Sequence, residues 1–430
     1  MSHSTSSLRL RNGERGRGLF TNTSQRKGDT LLRIPLEACI REARHASDEE
    51  KSKILSRATT DVEDPEALTW DVRMAIKLLK KTGKLDSDDE SVIRFFPPCL
   101  SFGEVRVQEI FWMKYQDLLP RPDTLSQVAP FLVSLAVLTV SQPLCLSPSM
   151  LSEFQHSELA TGGLMQQRRL RMLFPDLMPA ADSADSDYPS NLQWAFACVR
   201  SRAFTVTSKK QNATSTDEED DEFAFVPFLD MTNHGDPNAD FFCDRANNYF
   251  VLHALTDIPE GREVLISYRA EMCNRIYQAL YGFVPQGGNY NDNIEFPDSL
   301  KADELMAPLL EQALGLDQPD GEQILSSDPR LNSALMSFPL TIEMPEDGVD
   351  GNAEVEKAQK LLDYVTEQRR VMSTTLEEDL SLVTDYTRDP SSLDPRKVSA
   401  VHYRIERKRL LDKAMGILQG YIDVLYKSGN

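Results

Sequence analysis

The chain has 430 residues, long enough for two to four domains or for one elaborated domain with an appendage. Apolar residues at 40% allow a sizeable core and exclude a wholly disordered chain. Lys and Arg number 47 against 67 Asp and Glu, a formal charge of −20 that argues against nucleic-acid and anionic-membrane binding and is compatible with a basic protein partner.

The first 40 residues read as β structure. Ser7 to Arg11 alternate, Asn12-Gly13 signals a turn, and Gly18 to Thr21 forms a second strand. Thr30 to Ile34 is a third strand, stopped by Pro35. Character then switches to helix. Asp64-Pro65 suits an N-cap with proline at the first helical position. Leu68, Val72, Ala75, Ile76 and Leu79 follow the helical period, and Gly83 ends it. Further helices are expected over 104–118, 126–140, 147–173 and 189–200.

Strand character returns at Ala203 to Val206. Asp217 to Glu222 are six consecutive acids, which read first as a solvated loop and second as an attractor for a basic substrate. Short strands are expected over 239–243, 248–254 and 263–267. After about residue 300 the pattern is helical. Val355, Ala358, Leu361, Leu362 and Val365 form one stripe, and Asp394-Pro395 opens a long helix running toward Tyr426. Between them, Asp317 to Asn352 reads as a looped or disordered connector, rich in Pro, Gly and acids.

The six cysteines lie at least 30 residues apart with no CxxC, so a zinc site is not expected, and reduced thiols fit a chain without a secretion signal. The longest apolar run, Val128 to Val140, is interrupted by Pro130 and Ser134 and is too short to span a bilayer. The N-terminus has Arg and Ser without a hydrophobic stretch. A cytosolic or nuclear protein is expected.

Three separated segments carry chemistry. In Glu14-Arg15-Gly16-Arg17-Gly18-Leu19-Phe20 the glycines permit close backbone approach to a polar small molecule, although Gly-x-Gly in a hairpin is ordinarily just a turn. In Phe225 to His234 an apolar run ends in Asp230, Asn233 and His234. That alone reads as a turn with a hydrogen-bonded core histidine. The third runs from Ile258 to Asp292 and contains Glu263, Ser267, Tyr268 and Tyr281-Gly282-Phe283-Val284. Taken singly, its aromatics are core residues with satisfied hydroxyls.

In this order and spacing, the three segments together resemble the SET-domain protein methyltransferases. They are similar to the branch with a helical insertion and a following helical domain, which includes Rubisco large-subunit methyltransferase, fungal ribosomal lysine methyltransferases and an actin-histidine methyltransferase. Val199 to Phe204 resembles the Ser-Arg-Ala-Phe segment that returns from the insertion, and Asp230 to His234 the Asp-x-x-Asn-His motif. Thr374 to Leu380 and Ala400 to Leu411 look like patches of the helical domain. Two departures stand out. Arg269 follows the tyrosine where relatives often have glycine, and the insertion is poorly matched from Arg121 to Gln166.

The resemblance implies an α+β fold. A SET domain of short strands would span 1–295, with its insertion at about 60–200, and an all-α substrate-binding domain would span 300–430. It implies methyl transfer from S-adenosylmethionine (AdoMet), without a metal, to a lysine of a non-histone protein, basic or ribosomal, by a monomer. A free lysine is well under one part in a thousand neutral at pH 7, roughly four parts in ten thousand. A narrow apolar channel beside a sulfonium would lower its pKa by desolvation and like-charge repulsion. By the same resemblance Tyr268 is catalytic, and Arg15, Gly16, Arg17, Arg202, Asn233 and His234 hold AdoMet. Tyr281, Phe283 and Asp230 serve the substrate side. A histidine acceptor and a catalytically silent interaction module are the alternatives.

Overall fold

The computed structural model describes residues 7–13, 15–45, 68–85, 111–119, 141–178, 189–206, 222–269, 271–343 and 348–428. Strand β1 (Leu8–Gly13) pairs antiparallel with β2 (Gly16–Thr21), ending at Gly13 opposite Gly16. The strand therefore runs on through Asn12-Gly13, and the reversal falls after it. Gly16 takes φ 87°, a left-handed backbone that favours glycine. Strands β3 (Thr30–Pro35) and β4 (Ile40–Ala43) follow.

Helix α1 (Trp70–Lys81) buries Val72, Met74, Ala75, Ile76, Leu78 and Leu79, and Gly83 beyond it takes φ 65°. It starts later than the Asp64-Pro65 signal, which lies outside the described residues. Its buried Arg73 bonds Glu42 at 3.1 Å and the carbonyls of Leu68 and Ala43, so the charge is neutralised and hydrogen-bonded. Residues 111–115 are helical, and the helix expected over 126–140 lies outside the described residues. The single helix expected over 147–173 is two: Pro148–Ser152, then α2 (Ser157–Leu173). Gln155 between them adopts φ 51°, which a continuous α-helix cannot contain. Helix α3 (Asn191–Arg202) opens on a capping box between Ser190 and Gln193 and packs on α1.

Strand β5 (Ala203–Val206) continues directly from α3 and pairs with β6 (Glu222–Phe225), whose other edge holds β4. Of the acid run, only Glu222 is among the described residues. Strand β7 (Asn233–His234) is followed by the hairpin β8 (Ala239–Asp244) and β9 (Tyr249–Ala254), with β9 also pairing β3. Strand β10 (Leu265–Ile266), shorter than expected, pairs parallel with β7. Helix α4 (Asn274–Tyr281) follows.

The connector expected over 317–352 instead holds α5 (Gly321–Ser327) and α6 (Pro329–Ser337), and within 305–341 the short parallel strands Leu305–Met306 and Leu340–Thr341 pair. Its breakers act as helix starters: Asp328 accepts the Arg330 N–H and Pro329 occupies the first turn. Then come α7 (Gly351–Arg370), α8 (Leu376–Arg388) and α9 (Pro395–Ser428).

The fold class is α+β, and the chain divides into two compact units. One comprises Met1–Pro148, Thr161–Arg269 and Leu280–Gly282; the other comprises Ser149–Ala160, Ala270–Ala279 and Phe283–Asn430. The core of the first gathers residues such as Leu19, Ile40, Ile76, Phe196, Phe225 and Ile266. The core of the second runs along α9, where Leu410, Ala414, Leu418 and Tyr421 meet Ala358, Leu361 and Val365 of α7. Among the described residues no helix is long and apolar enough to cross a membrane.

Candidate functional site

Backbone pairing brings the three chemical segments together in the first unit. The Val264 N–H donates to the Leu19 carbonyl at 2.8 Å and the Thr21 N–H to the Arg262 carbonyl at 3.0 Å, laying β2 beside the stretch that leads into β10. On its other side β10 holds β7. Asn238 fastens this arrangement, donating to the Glu263 carbonyl at 2.8 Å and accepting the Leu265 N–H at 2.9 Å.

Asn233 and Glu263 meet where these segments converge. The Asn233 amide donates to the Glu263 carboxylate at 2.7 Å and to the Arg17 carbonyl at 3.2 Å. Arg15 reaches the other Glu263 oxygen at 3.4 Å. Gly18 lies against this pair. A Cβ there would stand 2.5 Å from the Glu263 carboxylate and 2.7 Å from the Asn233 amide, closer than carbon can approach either. The Arg17 side chain turns away and donates to the Leu118 carbonyl at 2.9 Å. Burial, with Arg202 nearby, pushes its pKa below the usual arginine value.

Arg202, the last residue of α3, is almost fully enclosed. Its Nη1 donates to the Asp230 carbonyl at 2.7 Å and to the Asp230 carboxylate at 3.2 Å. The other carboxylate oxygen accepts the hydroxyl of Tyr115, which in turn accepts the Phe228 N–H at 2.7 Å. The Asp230 side chain has 0% exposure, so its two oxygens serve Arg202 and Tyr115 within the fold. Burial raises its pKa, against the opposing pull of Arg202. The Arg202 Nε is buried and has no hydrogen-bond partner among the described residues.

Tyr268 follows β10. Its N–H donates to the His234 Nδ1 at 3.3 Å and its hydroxyl donates to the Thr232 carbonyl at 2.8 Å. Burial, and then the positive charge of Arg15, lower the His234 pKa, which keeps that nitrogen an acceptor. Burial also drives the Tyr268 phenol above its usual value, so it stays protonated and can donate. Tyr281 stands beside it, the ring centroids 4.8 Å apart.

The structure therefore brings Arg15, Gly16, Arg17, Arg202, Asp230, Asn233, His234, Tyr268 and Tyr281 into one unit. Phe283 belongs to the second unit, where its ring lies 5.8 Å from that of Tyr277. Two residues to which sequence reasoning assigns no role complete the network. Glu263 carried a weak signal, an acid one residue from buried Val264 at the entry to a strand. Tyr115 carried none beyond its place in the aromatic run Phe111-Trp112-Met113-Lys114-Tyr115. No group of three or more His, Cys, Asp or Glu capable of holding a metal occurs among the described residues.

A family model described as the SET domain matches residues 16–269. Two solved structures resemble the whole chain. One is the SET domain of LSMT bound to lysine and AdoHcy, 17% identical with a TM-score of 0.51, covering 99% of this chain and 90% of that one. The other is Rubisco LSMT bound to AdoMet, with the same identity and TM-score, covering 99% of this chain and 89% of that one. None of the curated proteins matches.

Proposed function

The chain belongs to the SET-domain family, and we propose that it transfers a methyl group from AdoMet to a lysine side chain of a protein. The observation that carries this reading is that Arg202, Asn233, His234 and Tyr268, drawn from separate segments, fall in one unit, and that the buried Arg202 Nε lacks an acceptor among the described residues. A carboxylate fits that nitrogen, because a guanidinium edge and a carboxylate are matched in geometry and charge. The similar solved structures hold AdoMet in one case and lysine with AdoHcy in another, which supports the reading.

When bound, AdoMet supplies a methyl group on a sulfonium that is already a good leaving system. The protein's part is then mainly positioning. Arg202 meets the cofactor carboxylate, while Asn233, His234 and the backbone of Arg15 to Arg17 hold the remainder. The Tyr268 hydroxyl orients the amine, and Tyr281 lines its approach. With the phenol held protonated by burial, the amine's proton leaves to water rather than to Tyr268.

The substrate in this proposal is a basic, non-histone protein, ribosomal proteins being the leading class, and a chain of net charge −20 favours such a partner. The helical second unit engages it, in the cytosol or nucleus, where the free thiols among the described cysteines are stable. The test has two stages. Saturating AdoMet should raise the melting temperature by mass action. Labelled AdoMet should then transfer radioactivity to a basic protein in a cell extract, and hydrolysis of that protein should yield methyllysine. Methylhistidine would change the acceptor. A thermal shift without transfer would leave a silent binding module, and no shift would refute the reading.

A further inference from the structure

Tyr115 reaches the site from the helical insertion, 115 residues before Asp230. A carboxylate paired with Arg202 alone would keep rotational freedom, since the terminal torsion of Asp is broad. Tyr115 removes that freedom by donating to one oxygen while the other faces Arg202 Nη1 at 3.2 Å. Tyr115 is itself fixed. It accepts the N–H of Phe228, a residue held at φ 67°, and packs edge-on against Phe228 and Trp112, with ring centroids 5.3 and 5.4 Å away. Tyr115, Asp230 and Arg202 thus form a chain of directional bonds. At its end one guanidinium nitrogen is spent on Asp230 and Nε is left buried without an acceptor among the described residues. Buried donors rarely remain unpaired, and a water, an ion or a ligand ordinarily completes them.

We propose that Tyr115 is a positioning residue that orients Arg202 through Asp230, so that Nε is held ready for the carboxylate of the cofactor's amino-acid arm. The inference rests on the AdoMet reading above. Electrostatics agree with the geometry: burial pushes Asp230 toward its neutral form, and the Tyr115 hydrogen bond opposes that. Without the hydroxyl, Asp230 would hold its charge less well and Arg202 would lose its fixed partner.

The experiment measures binding of two probes to the full chain by calorimetry. AdoHcy carries the amino-acid arm. 5′-Methylthioadenosine keeps the adenosine and thioether but lacks the arm, and its weaker binding is read by competition. Tyr115→Phe should weaken AdoHcy about tenfold, as expected for loss of a hydrogen bond to a charged group, while methylthioadenosine changes by less than about twofold. A merely structural tyrosine would lower the melting temperature and weaken both probes equally, or neither, and either result overturns the proposal. Asp230→Asn, which keeps the shape and weakens the ion pair, must show the same selective loss, and it decides the matter if the tyrosine variant does not fold. Failure of the wild-type chain to bind AdoHcy would overturn the functional reading itself, and this inference with it.

Discussion

Each unit buries a small group of charges, and the two groups differ in one respect. In the second unit, Asp379 of α8 accepts from both Arg404 and Lys408 of α9, and neither the Asp379 nor the Lys408 side chain has any exposure. Lys408 also donates to the Thr374 hydroxyl and the Thr375 carbonyl, and Arg404 to the Glu153 carbonyl. Both cations are thus matched by acceptors within the unit. In the first unit, Arg202 and Asp230 are as deeply buried, yet Nε has no acceptor among the described residues. A completed ion cluster specifies how helices pack. In the first unit the Arg202 Nε stays without an acceptor among the described residues, and under the methyl-transfer proposal it is left for the cofactor.

The largest effect expected from this contrast is on stability. Asp379→Ala leaves Lys408 and Arg404 buried without their common counter-ion, and should cost about 3–5 kcal/mol in chemical denaturation. A loss below about 1 kcal/mol would show that the cluster is not what fixes α8 on α9. Burial already depresses the Lys408 pKa despite Asp379, so removing the carboxylate should favour its neutral form further.

The site unit should respond in rate rather than stability. Tyr268→Phe keeps the ring and removes one hydroxyl. It should lower kcat and kcat/KM together by roughly 10²–10³, equivalent to about 2.7–4 kcal/mol, with little change in AdoMet affinity. Single-turnover methylation beside thermal unfolding separates this from a core tyrosine, for which turnover would be near normal.

A smaller effect is expected from His156 in the second unit, whose Nδ1 lies 2.6 Å from the Tyr403 hydroxyl. Burial, with Arg407 and Arg275 nearby, lowers its pKa from 6.5 to about 3. The unfolded chain therefore binds a proton on this group between those values while the folded chain does not. Stability should rise with pH through that window and fall as pH drops from 6.5 toward 3, by about 1.4 kcal/mol per pH unit at most. His156→Gln should flatten that slope. An unchanged slope between pH 6.5 and 4.5 would mean that the imidazole is protonated in place.

The smallest effect expected is at Gly18. Gly18→Ala must displace Asn233 or Glu263, and AdoMet affinity should fall by about tenfold, near 1.4 kcal/mol. Unchanged affinity would remove the Asn233–Glu263 pair from cofactor binding.

Much of the fold was open to reading in the chain itself. Helix α1, strands β8 and β9 and the start of α9 follow from hydrophobic period, strand character and the Asp394-Pro395 pair, all of which are local. The misread places have local causes too. The connector reads as a loop because Asp, Pro and Gly both break and start helices, and only the packing of α6 on α9 selects the second role. No proline or glycine lies within five residues of Gln155, so the chain does not mark the break there. Thr374 to Leu380 and Ala400 to Leu411 look unrelated along the chain, and the Asp379 cluster shows why they belong together.

The sequence by itself determined which chemical groups the protein owns: the hairpin glycines, Arg202, Asn233-His234 and Tyr268, in an order specific enough to suggest the family. Residue type and short-range spacing carry that information. Only the tertiary structure decided how those groups are employed. It enclosed Asp230 between Arg202 and Tyr115, gave Asn233 to Glu263, placed Phe283 in the second unit, and left the Arg202 Nε without an acceptor among the described residues. Burial and hydrogen-bond partners are properties of segments that meet only when the chain folds. No local pattern around Tyr115 or Glu263 encodes a partner that lies 115 or 30 residues away.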